Sequence, residues 1–352
     1  MTLPIPSELL LAIFNFAVHT SCDPADQPDP QSLDSDMLMT MEQDPIASAP
    51  ATSGPTDGRA GAPKVLRLWL QNSRSQPLDI VFRDTPNGSS GDTIVEMIKM
   101  AAEHSMRWKT FKVRLRRQKL SINEVMKVLH GIVTPLLQTL AFSFNTIELG
   151  DTQFDDLWMS LIANAPKLQE LQMWSANYSK HFLAAIPFGR LTCITLIMVR
   201  FQDGDLVWNA LRSCKVLRTL AISFGFGPGD SPWAFTQPPS SSAVVSIPSL
   251  RQLRLIGGSD LCLLLLGLHL PSLSSLTVHT NHTERYMRRL TTDVYMALED
   301  FLTRSRCQLN SFKIRDERES GFEMRVSPIL RHSALRDLVE LRLGGNGSVE
   351  EL

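Results

Sequence analysis

The chain repeats a short phrase with apolar residues at its first, fourth and sixth positions and variable residues between them. Typical copies read LQELQM, LRTLAI, LRQLRL and LVELRL. Alternation at the fourth and sixth positions is typical of a β-strand that buries one face. Each copy is therefore predicted to form one strand, and the copies begin at Leu137, Leu168, Leu191, Leu217, Leu250, Leu273, Leu309 and Leu338.

The intervals between copies carry a different, helical periodicity. Residues 151–166, 203–214 and 296–307 place apolar residues at helical spacing shortly before the next copy. Two earlier, divergent strands are expected, one through Leu78, Ile80 and Phe82 and one through Trp108, Phe111 and Val113. The chain thus predicts about ten strands, each burying its apolar face on its neighbours.

A recurring LxxLxL phrase with an intervening helix resembles the leucine-rich repeat. Three copies also place an asparagine eight residues after the first leucine, at Asn145, Asn281 and Asn346. The resemblance implies an α/β leucine-rich-repeat solenoid, a horseshoe with one curved parallel sheet and outer helices. It also implies that these asparagines hydrogen-bond the turn that follows each strand.

The charge of the chain is divided unevenly along its length. Residues 1–63 contain nine acids and Arg59 as the single base, a net charge of −8, within a chain whose net charge is −1. The remaining residues are therefore basic overall. Residues 20–63 are rich in Pro, Ala, Ser, Gly and Asp, a composition that predicts a disordered acidic linker. Periodicity resumes at Lys64, so the repeat domain is predicted over 64–352.

Residues 3–19 predict a short amphipathic helix ahead of this linker, with Pro6 just inside its start. The string IPSELLLAIFNF resembles the opening of an F-box, LPxELLxxIF, and the whole chain resembles fungal F-box proteins with degenerate leucine-rich repeats. The resemblance implies an SCF ubiquitin ligase subunit whose repeat domain recognises the target protein. It also implies that a Skp-type adaptor binds Ile5, Pro6, Leu9, Ile13 and Phe14.

The resemblance to the F-box covers only its first helix. A complete F-box has three helices, and the residues between Cys22 and Pro63 offer only MLMTM, at 37–41, as a fragment of the others. The alternative prediction is therefore a non-enzymatic repeat scaffold with a decayed F-box and no link to ubiquitin.

Other functions find little support in the residues. The apolar run LLLAIFNFAV follows Glu8 and no base, unlike a secretory signal. The segment LCLLLLGLHL at 261–270 is too short to cross a bilayer and is predicted to be a buried helix of the repeat domain. Five scattered cysteines indicate reduced thiols, so the cytoplasm or nucleus is expected. No catalytic motif is present, and HTNHTE at 279–284 is read as a loop after a strand. We expect no enzyme activity, cofactor, metal or membrane association.

The outward strand positions predict a binding face. They are Lys112, Arg114, Glu170, Gln172, Trp174, Thr195, Arg254, His279, Lys313, Arg315, Glu340 and Arg342. Six bases and two acids favour an acidic or phosphorylated protein partner, with Trp174 as an apolar anchor. Two other readings remain open: these residues are simply solvated, or the bases of VRLRRQK at 113–119 bind nucleic acid, which the lack of interleaved aromatic residues makes the weaker alternative.

Overall fold

The described part of the computed structural model comprises residues 62–83, 91–115, 122–144, 159–174, 177–178, 184–201, 204–224, 244–258, 260–280, 293–316, 322–345 and 348–351. The predicted helix at 3–19, nearly all of the linker and the turn residues Asn145, Asn281 and Asn346 lie outside these ranges.

The described strands are β1 (Leu78–Arg83), β2 (Trp108–Leu115), β3 (Thr139–Phe144), β4 (Glu170–Trp174), β5 (Asn177–Tyr178), β6 (Cys193–Phe201), β7 (Thr219–Phe224), β8 (Val245–Ser246), β9 (Gln252–Gly257), β10 (Leu268–His269), β11 (Ser275–Thr280), β12 (Ser311–Asp316), β13 (Glu340–Gly345) and β14 (Ser348–Glu351).

The described helices are α1 (Ala62–Asn72), α2 (Gly91–Ala102), α3 (Ile122–Leu129), α4 (Gly204–Arg212), α5 (Asp260–Gly267), α6 (Val294–Ser305) and α7 (Phe322–Leu330). Residues 159–163 are also helical. The helices predicted within 203–214 and 296–307 are therefore confirmed. The helix predicted within 151–166 is confirmed over 159–163, and residues 151–158 are outside the described ranges. The buried helix predicted over 261–270 ends at Gly267, because the next two residues form β10 and pair in parallel with β8.

Ten parallel strands form one large sheet in chain order. The order is β1-β2-β3-β4-β6-β7-β9-β11-β12-β13, with β14 antiparallel at the edge and β5 paired to β6 outside this path. Each of the eight phrases supplies one of these strands, and the two earlier units supply β1 and β2. The predicted parallel neighbours are confirmed at all ten positions.

Strand register aligns the phrases and places their apolar residues in one core. Leu171 stands beside Leu140 on one side and Ile194 on the other. These three side chains are at most 1% exposed. The first leucine of each phrase lies just before the strand, and seven of the eight are almost fully buried: Leu137, Leu168, Leu191, Leu217, Leu250, Leu273 and Leu309. The phrase therefore describes the buried side of every unit.

A repeated backbone contact sets the distance between the first leucine and the strand. The carbonyl of Gln138, which follows Leu137, accepts from the N–H groups of Gln169 and Glu170 at 2.8 and 2.9 Å. Thr192 and Ser274 accept two N–H groups from the following copies in the same way. Buried or partly buried backbone groups require partners. A shift of one residue would break this pair and move the leucines to the other face.

The second unit departs from the phrase because its strand contains an irregularity. The pairing of β1 with β2 shifts between Leu78 and Asp79, which pair with Trp108 and Thr110. The shift lets Trp108 and Phe111 both face the core, where their rings stack at 4.0 Å. The indole Nε1 of Trp108 donates to the carbonyl of Ala101 at 3.1 Å, which satisfies this buried polar group.

A buried polar cluster joins α6, β12 and α7. The Tyr295 hydroxyl donates to the Asp316 carboxylate at 2.6 Å. A nitrogen of the Arg325 guanidinium lies 3.3 Å from the same carboxylate. The Asp316 side chain is 0% exposed. The guanidinium also lies 5.4 Å from the centre of the Tyr295 ring. These contacts compensate the burial of the Asp316 charge and fix both helices against the end of β12.

Leu171→Asp is expected to unfold the sheet cooperatively, since an unpaired carboxylate would replace a side chain in close-packed surroundings. A loss of about 4 kcal/mol or more in the free energy of unfolding is expected. Chemical denaturation followed by circular dichroism measures it. Gln172→Asp, the same charge one position along on the outward face, is the control and should change the value by less than about 1 kcal/mol. Equal losses in the two variants would contradict the assignment of faces.

Tyr295→Phe removes one donor from the buried Asp316 carboxylate without removing the ring. A hydrogen bond to a charged group contributes about 1.5–3 kcal/mol, so a loss in this range is expected in the same denaturation experiment. Met296→Ala alters an exposed neighbour on α6 and should have little effect. A fully stable Tyr295→Phe variant would show that the cluster does not hold these elements together.

Candidate functional site

The candidate site is the outward face of the ten-stranded sheet, opposite the leucine core. Its central row crosses all ten strands in register. The row consists of Val81, Lys112, Ala141, Gln172, Thr195, Ala221, Arg254, Thr277, Lys313 and Arg342. These side chains range from nearly buried at Ala141 to exposed at Arg342, with most half-buried. Strand alternation thus yields a second, mostly polar face, interrupted by the apolar side chains of Val81, Ala141 and Ala221, as a direct consequence of burying the leucines.

The residues predicted to bind a partner all stand at outward positions by register. Glu170 and Glu340 belong to the row at the amino-terminal ends of the strands, and His279 and Arg315 are paired neighbours of the opposite row. For Arg114 and Trp174 the structure describes the backbone, which pairs both with Ser143.

The structure divides the predicted partner-binding residues into two groups. Arg254, His279, Lys313, Arg315 and Arg342 lie on the four successive neighbours β9, β11, β12 and β13. Lys112 lies five strand steps from Arg254 in the sheet order, about 24 Å at the usual spacing of neighbouring strands. Trp174 lies between the groups, two steps from Lys112 and three from Arg254. A small ligand could not contact both groups, whereas a protein surface could.

Glu340 engages part of the basic group. Its carboxylate lies 2.8 Å from Lys313 Nζ and 3.0 Å from Arg342 Nε. The Ser311 hydroxyl donates to its other oxygen at 2.7 Å. The hydrogen bonds from Lys313 and Ser311 lower the pKa of Glu340, so the carboxylate stays ionised in mildly acidic solution. An anionic partner that reached Lys313 and Arg342 would therefore compete with Glu340.

Arg254 occupies a more desolvated position than the other bases of the central row. Its register neighbours are the small side chains Ala221 and Thr277. Burial lowers the pKa of its guanidinium. Because the ordinary pKa of arginine lies far above neutral pH, the group stays charged. A charge in partly desolvated surroundings interacts more strongly with an incoming anion than one in bulk water. Arg254 is thus the central cation of the second group.

Two further bases lie near this group, directly ahead of β7 and β9, and neither was among the predicted partner-binding residues. Arg218 and Arg251 follow the first leucines of their phrases and are exposed. The N–H of Arg251 donates to the carbonyl of Arg218 at 2.9 Å, which places them on neighbouring units. The signal lies in the second position of the phrase, directly ahead of the strand. Its residues cluster at the amino-terminal ends of the strands.

Candidate sites for other chemistry are weak within the described ranges. Burial raises the pKa of the Cys214 thiol to about 12 and that of Cys307 to about 11, so both are poor nucleophiles at neutral pH. The same residues include no group of three or more His, Cys, Asp and Glu side chains suited to a metal. His279 lies on β11, as predicted, and so does Thr280, while residues 281–284 of HTNHTE are outside the described residues.

An open hollow of about 490 Å³ lies on another part of the molecule, between residues 184–190 and α4. Ile186, Phe188 and Arg190 contribute to its lining, and an Nη atom of Arg190 donates to the Ala165 carbonyl at 2.8 Å.

In the part of the chain that the structure describes, no helix has the length and apolarity needed to span a membrane.

No protein-family model matches the chain, and the curated proteins include no match to it either. What the outward face binds is therefore inferred from its own residues and their arrangement.

Proposed function

We propose that the ten units form a leucine-rich-repeat solenoid that binds a partner protein on its outward sheet face, as the substrate-recognition subunit of an SCF-type ubiquitin ligase. The observation that supports partner binding is the division of the sheet into a leucine face and a second, mostly polar face that crosses all ten strands. Nine strand steps make this face about 43 Å long. Extended surfaces of this kind are what repeat proteins use to bind other proteins.

The unequal widths of helices and strands support a curved solenoid. Helices that pack side by side are about 8–10 Å apart, while paired strands are about 4.8 Å apart. Helices α5 and α6 contact each other, and α5 packs against its own unit's strand β9. A stack of such units bends so that the strands take the inner, shorter arc. The polar face is then the concave surface and surrounds part of a convex partner.

The charge of this face supports an acidic or phosphorylated partner. Positive charge is concentrated on β9 and β12 and directly ahead of β7 and β9, at Arg218, Arg251, Arg254, Lys313 and Arg315. Arginine binds carboxylates and phosphates in a bidentate manner. Trp174 is the apolar anchor of the proposed interface, since buried tryptophans often dominate binding energy. Lys112 and Arg114 form a second, more distant contact for a large partner.

The link to ubiquitination depends on the resemblance of residues 5–14 to the first helix of an F-box. In that arrangement the amino-terminal segment holds the ligase and the repeat face holds the protein to be modified. A scaffold without a ligase would bind through the same face but capture no adaptor. Adaptor capture therefore separates the two functions.

The full chain is expected to co-purify with a Skp-type adaptor, and Leu9→Asp and Ile13→Asp should each abolish that capture. Both substitutions place a charge on the apolar stripe proposed to contact the adaptor. Asn15→Asp introduces the same charge in the same segment outside the proposed contact set, and it should bind like the wild type. If the wild type captures no adaptor, or if Leu9→Asp and Ile13→Asp leave capture unchanged, the ligase function is wrong and the scaffold function replaces it.

Trp174→Ala is expected to weaken partner binding more than Arg254→Ala does. Loss of a buried tryptophan commonly costs about 2 kcal/mol or more of binding free energy, while charges chiefly affect association rate and specificity. Reversal of Lys112, Arg114, Arg254, Lys313, Arg315 and Arg342 to glutamate should remove the captured proteins altogether. Comparative mass spectrometry of proteins captured by each full-length variant is the measurement.

The control for this experiment is Lys99→Glu with Lys127→Glu, which reverses two exposed bases on helices α2 and α3. Circular dichroism must show that each variant remains folded. If the six-base variant is folded and captures the same proteins as the wild type, recognition does not use the outward face.

A further inference from the structure

Among the described residues, the outward positions of β7, β9, β11 and β12 and the positions directly ahead of β7 and β9 include no acid, and every charged side chain there is a base. We define the basic patch as Arg218, Arg251, Arg254, Lys313 and Arg315. The other described outward residues of β7, β9, β11 and β12 are Thr219, Ala221, Ser223, Gln252, Ile256, Ser275, Thr277, His279 and Ser311. None of these is an acid. Glu340 contacts the patch only from its flank, through Lys313.

The rest of the face does not have this character. Asp79 and Glu170 stand at outward positions of β1 and β4, alongside Lys112 on β2. At the far edge, Glu340 contacts Arg342, and the antiparallel pairing places Glu351 opposite Arg342. The patch is thus bounded by acids on both sides. It spans three strand steps, a width of about 14 Å.

The chain itself contains a segment of complementary charge. Residues 23–44 include seven acids and no base: Asp23, Asp26, Asp29, Asp34, Asp36, Glu42 and Asp44. Leu33, Met37, Leu38, Met39 and Met41 lie among these acids. Such residues could cover the small side chains Ala221 and Thr277 while the carboxylates meet the arginines. We propose that residues 23–44 dock on the basic patch of the same molecule and compete there with the partner.

The length of the connection permits this contact. Residue 44 is 18 positions before Ala62, where α1 begins. A connection of 18 residues reaches up to about 59 Å when extended. The patch begins five strand steps from β1 and ends eight steps from it, about 24–38 Å across the sheet. The extended connection is longer than the distance across the sheet, and the difference is enough for the chain to pass from α1 around the edge of the sheet.

Attachment to the same chain makes even a weak contact effective. A tethered segment experiences an effective concentration on the order of 1 mM at its binding site. An intrinsic dissociation constant of about 0.1 mM would then reduce the apparent affinity of any competing ligand about tenfold. Salt would weaken this competition, because the groups involved lie at the surface. The inference depends on the proposed function only in naming the partner as the competitor.

The first test is zero-length carbodiimide cross-linking of the full chain at low protein concentration, followed by peptide mass spectrometry. We expect amide links within one chain between acids of residues 23–44 and Lys313. Lys99 and Lys127, which are exposed on α2 and α3, are the matched control and should give few such links. Equal linkage to all three lysines would overturn the proposal. So would links found mainly between chains, which would place the segment on a second copy.

The second test uses a fluorescent synthetic peptide of residues 23–44 as a probe. A full-length variant with all seven acids changed to Asn or Gln should bind it about tenfold more tightly than the wild type. The control variant Glu96→Gln, Glu103→Gln, Glu299→Gln should bind it like the wild type. Adding Arg218→Glu, Arg251→Glu and Arg315→Gln to the seven-acid variant should abolish binding. Equal affinity in the wild type and the seven-acid variant would overturn the proposal.

These readouts fail independently of the proposed function. Cross-links and peptide affinity require neither an adaptor nor a captured protein. If partner capture depends on Arg254 but the segment neither links to Lys313 nor competes with the peptide, intramolecular docking is wrong and partner binding stands. If the segment docks but the outward-face variants capture the same proteins as the wild type, intramolecular docking stands and partner binding at the outward face is wrong.

Discussion

The burial of leucines between neighbouring copies of one phrase is the constraint on which the structure depends. No single strand has enough apolar contact to bury its own leucines, so each inner copy is stable only between two others. The carbonyl after the first leucine, bonded to two N–H groups of the next copy, maintains this stacking along the backbone. Side-chain burial and backbone pairing thus require the same register, and a change in either disturbs both.

Within the described residues, the two ends of the sheet differ in how completely their core side chains are buried. Helix α1 contributes the buried Leu66 and Leu70 beside β1, and the stacked rings of Trp108 and Phe111 fill the adjoining core. At the other end, Leu341 and Leu343 of β13 are only partly buried, although the corresponding positions of the inner copies are almost inaccessible. Local opening is expected to begin at β13, because its core residues are more exposed than those of the inner strands, which lowers local stability.

Because the core uses alternate strand residues, the residues between them are released from packing and can carry charge. Arg254 retains a charge beside small neighbours, and Lys313 approaches Glu340 without any role in the core. The face can therefore vary its charge from strand to strand while the fold is preserved. Separation of acids into residues 1–63 and bases onto one part of the face gives the chain an electrostatic asymmetry that both partner binding and intramolecular competition would use.

The sequence by itself determined the ten strands, because the period of two in the apolar residues identifies a strand and its buried side without reference to the rest of the chain. Copies such as the one at Leu250 show both features within six residues. The parallel order of the strands was what the resemblance to the leucine-rich repeat implied. The two-residue strands β8 and β10 were not predictable, since two residues carry no periodicity. The antiparallel β14 depends on the free edge of β13 and has no local apolar signal.

The sequence determined one part of the candidate site, and the tertiary structure determined the other. The period of two also identified which charges face outward, including Lys313 and Arg315. Tertiary structure alone decided which of these charges meet, because neighbouring strands come from parts of the chain separated by a helix and loops of variable length. It placed Lys112 five strand steps from Arg254, joined Arg218 to the basic patch, and brought one carboxylate, that of Glu340, between Lys313 and Arg342.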